Sequence, residues 1–415
     1  MNPPAQMKKT DVSTDGAEVK APTLRTAALA MFGLLLLSYA LMAADRYLFP
    51  VLAADIRRAF GFSLSNTGLL STIFTLGLAV TGLPTGLLLM RYPRKVLLLI
   101  GILIFSGATA LTTVATGFFS MLLCLAAQGI GMSMLATCMF ALAANYFASN
   151  RAAAVGSVNV CYGLGGFLGP LITGILLTSY GSWHAPMLSF GLFGIALAVV
   201  IAVTVRPWFS ETQQAAQNKT DSGGASSLKN RNTVILTILS IIYGLAAYGF
   251  LGLYPTFLRE QMHYSPAQAG TVIGFFGLGS LVSIFGGWLG DRFSPKLVIV
   301  GSSLAIAVLG FLFYLPGLSM LAREFLVGMY GVIGSSILYV NLAGYHIKAL
   351  RRSLSSRGSG TFVTSLYAGA AFGGYFMGSL VTSLGWIRAS EIQMSLLTVI
   401  GAVFALFLRQ NEMSR

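Results

Sequence analysis

Apolar runs, each interrupted by only a few polar or charged residues, recur along almost the whole chain. A membrane-spanning helix needs roughly 20 mainly apolar residues. Twelve stretches reach that length. They are 27–52, 66–90, 95–115, 118–146, 152–179 and 185–206, then 233–257, 267–290, 296–316, 320–345, 358–384 and 388–408. Only 9% of the 415 residues are charged and 55% are hydrophobic, with a mean hydropathy of +0.78. Soluble domains carry roughly 25% charged residues. The predicted fold class is therefore an all-α polytopic membrane protein with 12 transmembrane helices.

The polar gaps divide the chain. Residues 1–25 lack an apolar core and read as a cytosolic tail with no cleavable signal peptide, so the first span doubles as the insertion signal. Residues 26–206 form a first six-helix bundle, and the polar stretch 207–232 reads as a flexible cytosolic linker. A second bundle covers 233–409, followed by a short tail at 410–415. The bundles repeat each other. At an offset of 204, Gly156, Gly165, Gly169 and Gly174 fall on Gly360, Gly369, Gly373 and Gly378. Leu48-Phe49-Pro50 matches Leu253-Tyr254-Pro255 at 205, and Gly68 matches Gly270 at 202. Offsets that keep their order indicate two halves of parallel topology, an arrangement that places a substrate site between them at the membrane midplane.

The formal net charge of +14 does not point to nucleic acid. With the amino terminus inside, that side holds 20 of the 26 Lys and Arg, the positive-inside pattern, which predicts two cytoplasmic termini. Short tails and loops suggest a bacterial inner membrane, and a monomer in the lipid bilayer is expected. Cys124, Cys138 and Cys161 lie inside apolar spans without metal-ligand spacing and read as packing residues. No phosphate-binding loop, metal-spaced His/Cys cluster or soluble catalytic segment is present, so the chain reads as neither enzyme nor cofactor or metal binder.

Asp45 and Arg46 are the only charges in the first span. An ionisable group at membrane depth costs roughly 2.5–3.5 kcal/mol on insertion scales and faces a bundle interior or a wet cavity. The two could neutralise each other as a structural ion pair. They could also form a solute site, with Arg46 offering a carboxylate-shaped fork of donors and Asp45 a proton-sensitive carboxyl.

The eighth span ends in Gly287-Trp288-Leu289-Gly290-Asp291-Arg292-Phe293-Ser294-Pro295-Lys296. This resembles the signature G-x-L-A-D-R-x-G-R-K of the major facilitator superfamily (MFS), a fold of two pseudo-symmetric six-helix bundles. The first-half counterpart, Gly86 to Lys95, keeps Arg91 and Lys95 but has Met90 where the family has Asp. The resemblance implies an inner latch of Asp291 and Arg292 against Asn150 and Arg151 at the start of the fifth span. The mirror latch at Arg91 would be weakened by Met90. In the fifth span, Gly156, Gly165, Gly169, Pro170 and Gly174 are similar to the superfamily's antiporter motif, although the spacing is also explained by close helix packing.

Asp-Arg in the first span resembles the organic-anion:cation symporter and spinster-like branches of that superfamily. By that resemblance Arg46 binds a substrate carboxylate and Asp45 carries the coupling proton. The fourth span departs from those branches, with Leu125 and Met132 where they carry Arg and Glu around Gln128. Asp45 is then the one carboxylate placed deep in the membrane. The candidate binding residues are Arg46, Tyr47, Tyr39, Gln128, Asn159, Tyr162, Tyr243, Tyr339, Asn341 and Tyr367, with Tyr248 as a further polar group. Arg323-Glu324 reads as a local pair at an interface, and His346 as a snorkelling or loop-contacting residue. The expected function is secondary transport of a small organic anion with proton symport. The alternatives are proton-antiport export of amphiphilic compounds, or a non-transporting receptor on the same fold.

Overall fold

The computed structural model describes residues 20–147, 151–211, 224–351 and 354–413. The expected tail up to residue 19, residues 212–223 of the linker and the last two residues lie outside them. Nearly all described residues are helical. Helix 1 (Thr26–Phe60), helix 2 (Leu64–Leu88), helix 3 (Arg94–Val114), helix 4 (Phe118–Ala143), helix 5 (Gly156–Tyr180) and helix 6 (His184–Thr204) are each long and apolar enough to span a membrane. So are helix 7 (Arg231–Glu260), helix 9 (Pro295–Phe313), helix 10 (Met320–Lys348) and helix 12 (Trp386–Ala405). Helix 8 qualifies as a bent pair, Pro266–Ser280 and Ser283–Arg292, inclined by 45°. Helix 11 (Ser355–Leu384) has 30 residues but is dense in Gly, Ser and Thr, which lowers its apolarity below that of a typical span.

Helix 1 runs further than the expected 27–52. Its last turns, Leu48–Phe60, carry Asp55, Arg57 and Arg58, and end at Gly61 in the left-handed conformation (φ 69°), whose N–H bonds to the Arg57 carbonyl. Glycine takes that conformation without a Cβ penalty, so it closes helices well.

Interhelical packing follows the sequence repeat. A Cβ built on Gly165 would stand 2.1 Å from the Ala40 carbonyl oxygen, and one on Gly169 2.5 Å from the Ala44 Cα. Helix 5 therefore lies backbone to backbone against helix 1, just before Asp45. Across the halves, a Cβ on Gly174 would stand 2.5 Å from the Pro266 carbonyl oxygen, and one on its repeat partner Gly378 2.4 Å from the Leu64 carbonyl oxygen. Helix 5 thus packs on helix 8 as helix 11 packs on helix 2. Small residues permit such approaches where lipid removes the hydrophobic drive for association. The fifth-span motif is a packing seam, except for Gly156, which has nothing within 4 Å.

The ends of helices 1 and 7 remote from the chain termini are tied by two ion pairs between the halves. Arg57 meets Glu260 at 2.7 Å, and Arg259 meets Asp55 at 2.8 Å.

Candidate functional site

Helix 1 breaks where its charges sit. Its first segment ends at Asp45, Arg46 and Tyr47 form a turn, and helix resumes at Leu48. Pro50 explains the break: it has no N–H for the Arg46 carbonyl, and its ring collides with that carbonyl. The Tyr47 N–H instead donates to Ala44 at 3.1 Å, a tighter turn.

The turn sends the two charged side chains apart. Asp45, 2% exposed, points into the first half, where its Oδ2 accepts from Thr109 Oγ1 at 2.8 Å and Gln128 Nε2 at 2.6 Å. Its Oδ1 has no hydrogen-bond partner. Arg46 points the other way, donating from Nη1 to the Tyr162 hydroxyl at 2.6 Å and from Nη2 to the Tyr367 hydroxyl at 3.3 Å. Tyr367 belongs to the second half, so Arg46 bridges the halves. The faces of Phe74, Tyr162 and Tyr367 lie 5.4–5.7 Å from its guanidinium carbon, within cation–π range. Among the described residues no ion pair joins Asp45 to Arg46, so the structural-pair alternative does not describe this geometry.

Among the described residues Arg46 is the one charged side chain lining a cavity of about 310 Å³ between the halves. Tyr39, Tyr47, Asn159, Tyr162, Tyr243, Tyr248, Tyr339 and Tyr367 line it as well, as the candidate set anticipated. Sequence reasoning missed Phe74, Phe140, Phe276 and the hydroxyls of Ser280, Ser283 and Ser335. Ser280 and Ser283 flank the bend of helix 8. Ser335 and Tyr339 lie in a π-helical stretch of helix 10, Gly331–Tyr339. Such widened turns recur at functional sites because they re-aim side chains. A second cavity, about 370 Å³, shares the wall Tyr39, Arg46, Phe140, Tyr339 and Tyr367 and reaches the first turns of helix 11 at Ser359 and Gly360.

Two candidates lie elsewhere. Gln128 is spent on Asp45 and Thr109, and Asn341 donates to the carbonyls of Gly286 and Ile337 at 2.8 and 2.9 Å. Of the latch set, Asp291 is 77% exposed at its side chain and pairs with Lys348 of helix 10 at 2.8 Å. Arg292 lies over the Trp288 ring, and Arg91 is exposed at the end of helix 2. Asn150 and the side chain of Arg151, the expected latch partners, lie outside the described residues. Arg323 does not pair with Glu324. It is fully buried and donates to the carbonyls of Phe313 and Leu315, which closes the end of helix 9. His346 does not snorkel either: it is buried, with Nδ1 on the Leu342 carbonyl.

A helical membrane protein with a cavity between two repeated halves, and one buried cation in its wall, has the architecture of a secondary transporter. The chain belongs to the Major Facilitator Superfamily, whose family model matches residues 35–374. It is 25% identical over 293 residues to the hexuronate transporter of Bacillus subtilis (strain 168), covering 64% of this chain and 67% of that protein. It is 30% identical over 185 residues to probable anion transporter 4, chloroplastic, of Arabidopsis thaliana, covering 44% of this chain but only 33% of that protein. Its fold is similar to the crystal structure of a bacterial homologue of the human lysosomal transporter Spinster, in an inward-facing and occupied conformation. The TM-score is 0.69 at 17% identity, covering 90% of this chain and 94% of that one.

Proposed function

We propose that this protein is a secondary transporter of a small organic anion, coupled to proton symport. The observation that carries the reading is Arg46, a buried guanidinium in the cavity wall with aromatic partners and, among the described residues, no carboxylate partner. A buried cation calls for an anion, and guanidinium suits a carboxylate through paired, charge-assisted hydrogen bonds. The names of the relatives, a hexuronate and an anion transporter, agree with that chemistry. Because Arg46 also holds Tyr367 of the second half, an anion that takes its donors loosens a contact between the halves. Binding and rocking of the halves are linked there.

Asp45 is the proposed proton site. It lies one residue from Arg46 at the helix break, and the free Oδ1 is the atom on which a proton would sit. The reading places the protein, as a monomer, in a bacterial inner membrane with both termini cytoplasmic. The test is the thermal stability of detergent-purified protein across a panel of organic acids and lipophilic cations. The expected result is stabilisation by acids only, lost in Arg46→Ala. Stabilisation by cations alone, unchanged in that variant, would favour an exporter.

A further inference from the structure

We infer that the transported anion is a monocarboxylate built on a single aromatic ring, rather than a sugar acid, a dicarboxylate or a phosphate ester. This rests on the anion reading of the cavity and narrows it.

The charge count comes first. Among the described residues Arg46 is the one cation in the wall of either cavity, and neither wall holds a Lys or His. A second negative charge on the solute would enter without a partner, and an unpaired buried charge is among the costliest features a site can hold. Dicarboxylates and phosphate esters are disfavoured on that ground.

The donors of Arg46 set where the carboxylate sits. Nη1 and Nη2 are held by Tyr162 and Tyr367, while Nε is itself buried and has no partner. The longer of the two bonds, 3.3 Å to Tyr367, is the weaker contact. Were the tyrosine cover at Tyr367 to move aside, Nε and Nη2 together would offer a carboxylate two parallel hydrogen bonds for the one bond lost.

The remaining wall favours a flat apolar body. Phe74, Phe140, Phe276 and the tyrosine rings supply faces and edges on several sides. Aromatic rings pack against each other in offset or edge-on contacts worth about 0.5–1.5 kcal/mol beyond the area they bury. Sugar hydroxyls, by contrast, are matched by carboxylates, which accept in pairs, and by amides, which both donate and accept. Among the described wall residues there is no carboxylate and one amide, Asn159, because Asp45 is turned away and Gln128 and Asn341 are bonded elsewhere. The cavity, about 310 Å³, lies at the small end of the roughly 300–1,000 Å³ typical of ligand pockets. One ring with a carboxylate suits that space.

The test is counterflow into proteoliposomes holding the full-length protein, with benzoate, 3-phenylpropionate, glucuronate, succinate and phenyl phosphate as competing solutes. Benzoate or 3-phenylpropionate should compete at concentrations about tenfold or more below the other three. A Phe74→Leu variant should weaken competition by the ring acids more than competition by acetate, added as a ringless monocarboxylate. If glucuronate, succinate or phenyl phosphate competes best, the ring assignment is overturned and the anion reading stands. If no anion competes and a lipophilic cation does, the anion reading falls with it.

Discussion

Helices 1 and 7 occupy matching places in the repeat and have opposite characters at membrane depth. At an offset of 205, Asp45 and Arg46 correspond to Phe250 and Leu251. Both helices carry a proline after this point, yet helix 1 opens into a turn at Arg46 and helix 7 runs unbroken from Arg231 to Glu260. Phe250 is fully buried and packs on Tyr254 and Phe313 with ring centroids at 4.5 and 4.2 Å, so its segment is held by aromatic contacts. In helix 1 the same proline chemistry is combined with two charges that need opposite surroundings. The first half thus carries the charge chemistry. The second half supplies aromatic rings, hydroxyls and irregular backbone at helices 8 and 10. At the ends remote from the termini the two helices become alike, each giving one acid and one base to the paired bridges.

The contrast can be broken first by moving the charge. Phe250→Asp would bury a lone carboxylate in the aromatic stack, a fault that costs about 3–5 kcal/mol. Little folded protein and a large drop in thermal midpoint are expected in detergent. A variant as stable as wild type would show that the halves are interchangeable at this depth. Pro50→Ala is next. It returns a donor to the Arg46 carbonyl and removes an interior proline, whose cost is about 3 kcal/mol in an ordinary helix. Higher thermal stability with slower uptake is expected, whereas Pro255→Ala should change uptake less. Equal effects would deny the helix 1 break its special role.

Smaller effects lie at the helix ends. Glu260→Gln removes one partly exposed bridge and Asp55→Asn two, since Asp55 also meets Arg58 at 3.2 Å; each is worth about 0.2–1 kcal/mol for exposed pairs. Labelling of a Ser71→Cys reporter from that face should rise for each single variant. It should return toward wild type in the exchanged pair Asp55→Arg with Arg259→Asp. An unchanged labelling rate would remove the bridges from the gate. Asp291→Asn is expected to shift the thermal midpoint least, because the acid is 77% exposed and its partner Lys348 is on the same half.

The fold was legible because spanning length and the glycine offsets are one-dimensional signals. Helix 11 was read as an apolar span like the others, although its Gly, Ser and Thr make it less apolar. Tyrosines in the spans line the cavity wall, where polar groups in lipid turn inward. What the sequence could not show was direction. Adjacent residues in a helix point about 100° apart, and the Pro50 turn separates Asp45 and Arg46 further. Gln128 was assigned to the solute for the same reason, and its bond to Asp45 needed helix 4 placed against helix 1. The paired bridges had a signal in hand. Asp55 and Arg259, and Arg57 and Glu260, stand 204 and 203 residues apart, close to the repeat offset.

The central claim is that Arg46 and Asp45 do separate work, one on the anion and the other on the proton. It is tested most directly by measuring anion exchange and proton-driven accumulation side by side in proteoliposomes containing wild type, Asp45→Asn or Arg46→Ala. Asp45→Asn should keep exchange and lose accumulation driven by a pH gradient, and Arg46→Ala should lose both. If Asp45→Asn accumulates anion as wild type does, or if both variants lose both activities alike, the division of labour at the helix 1 turn is contradicted.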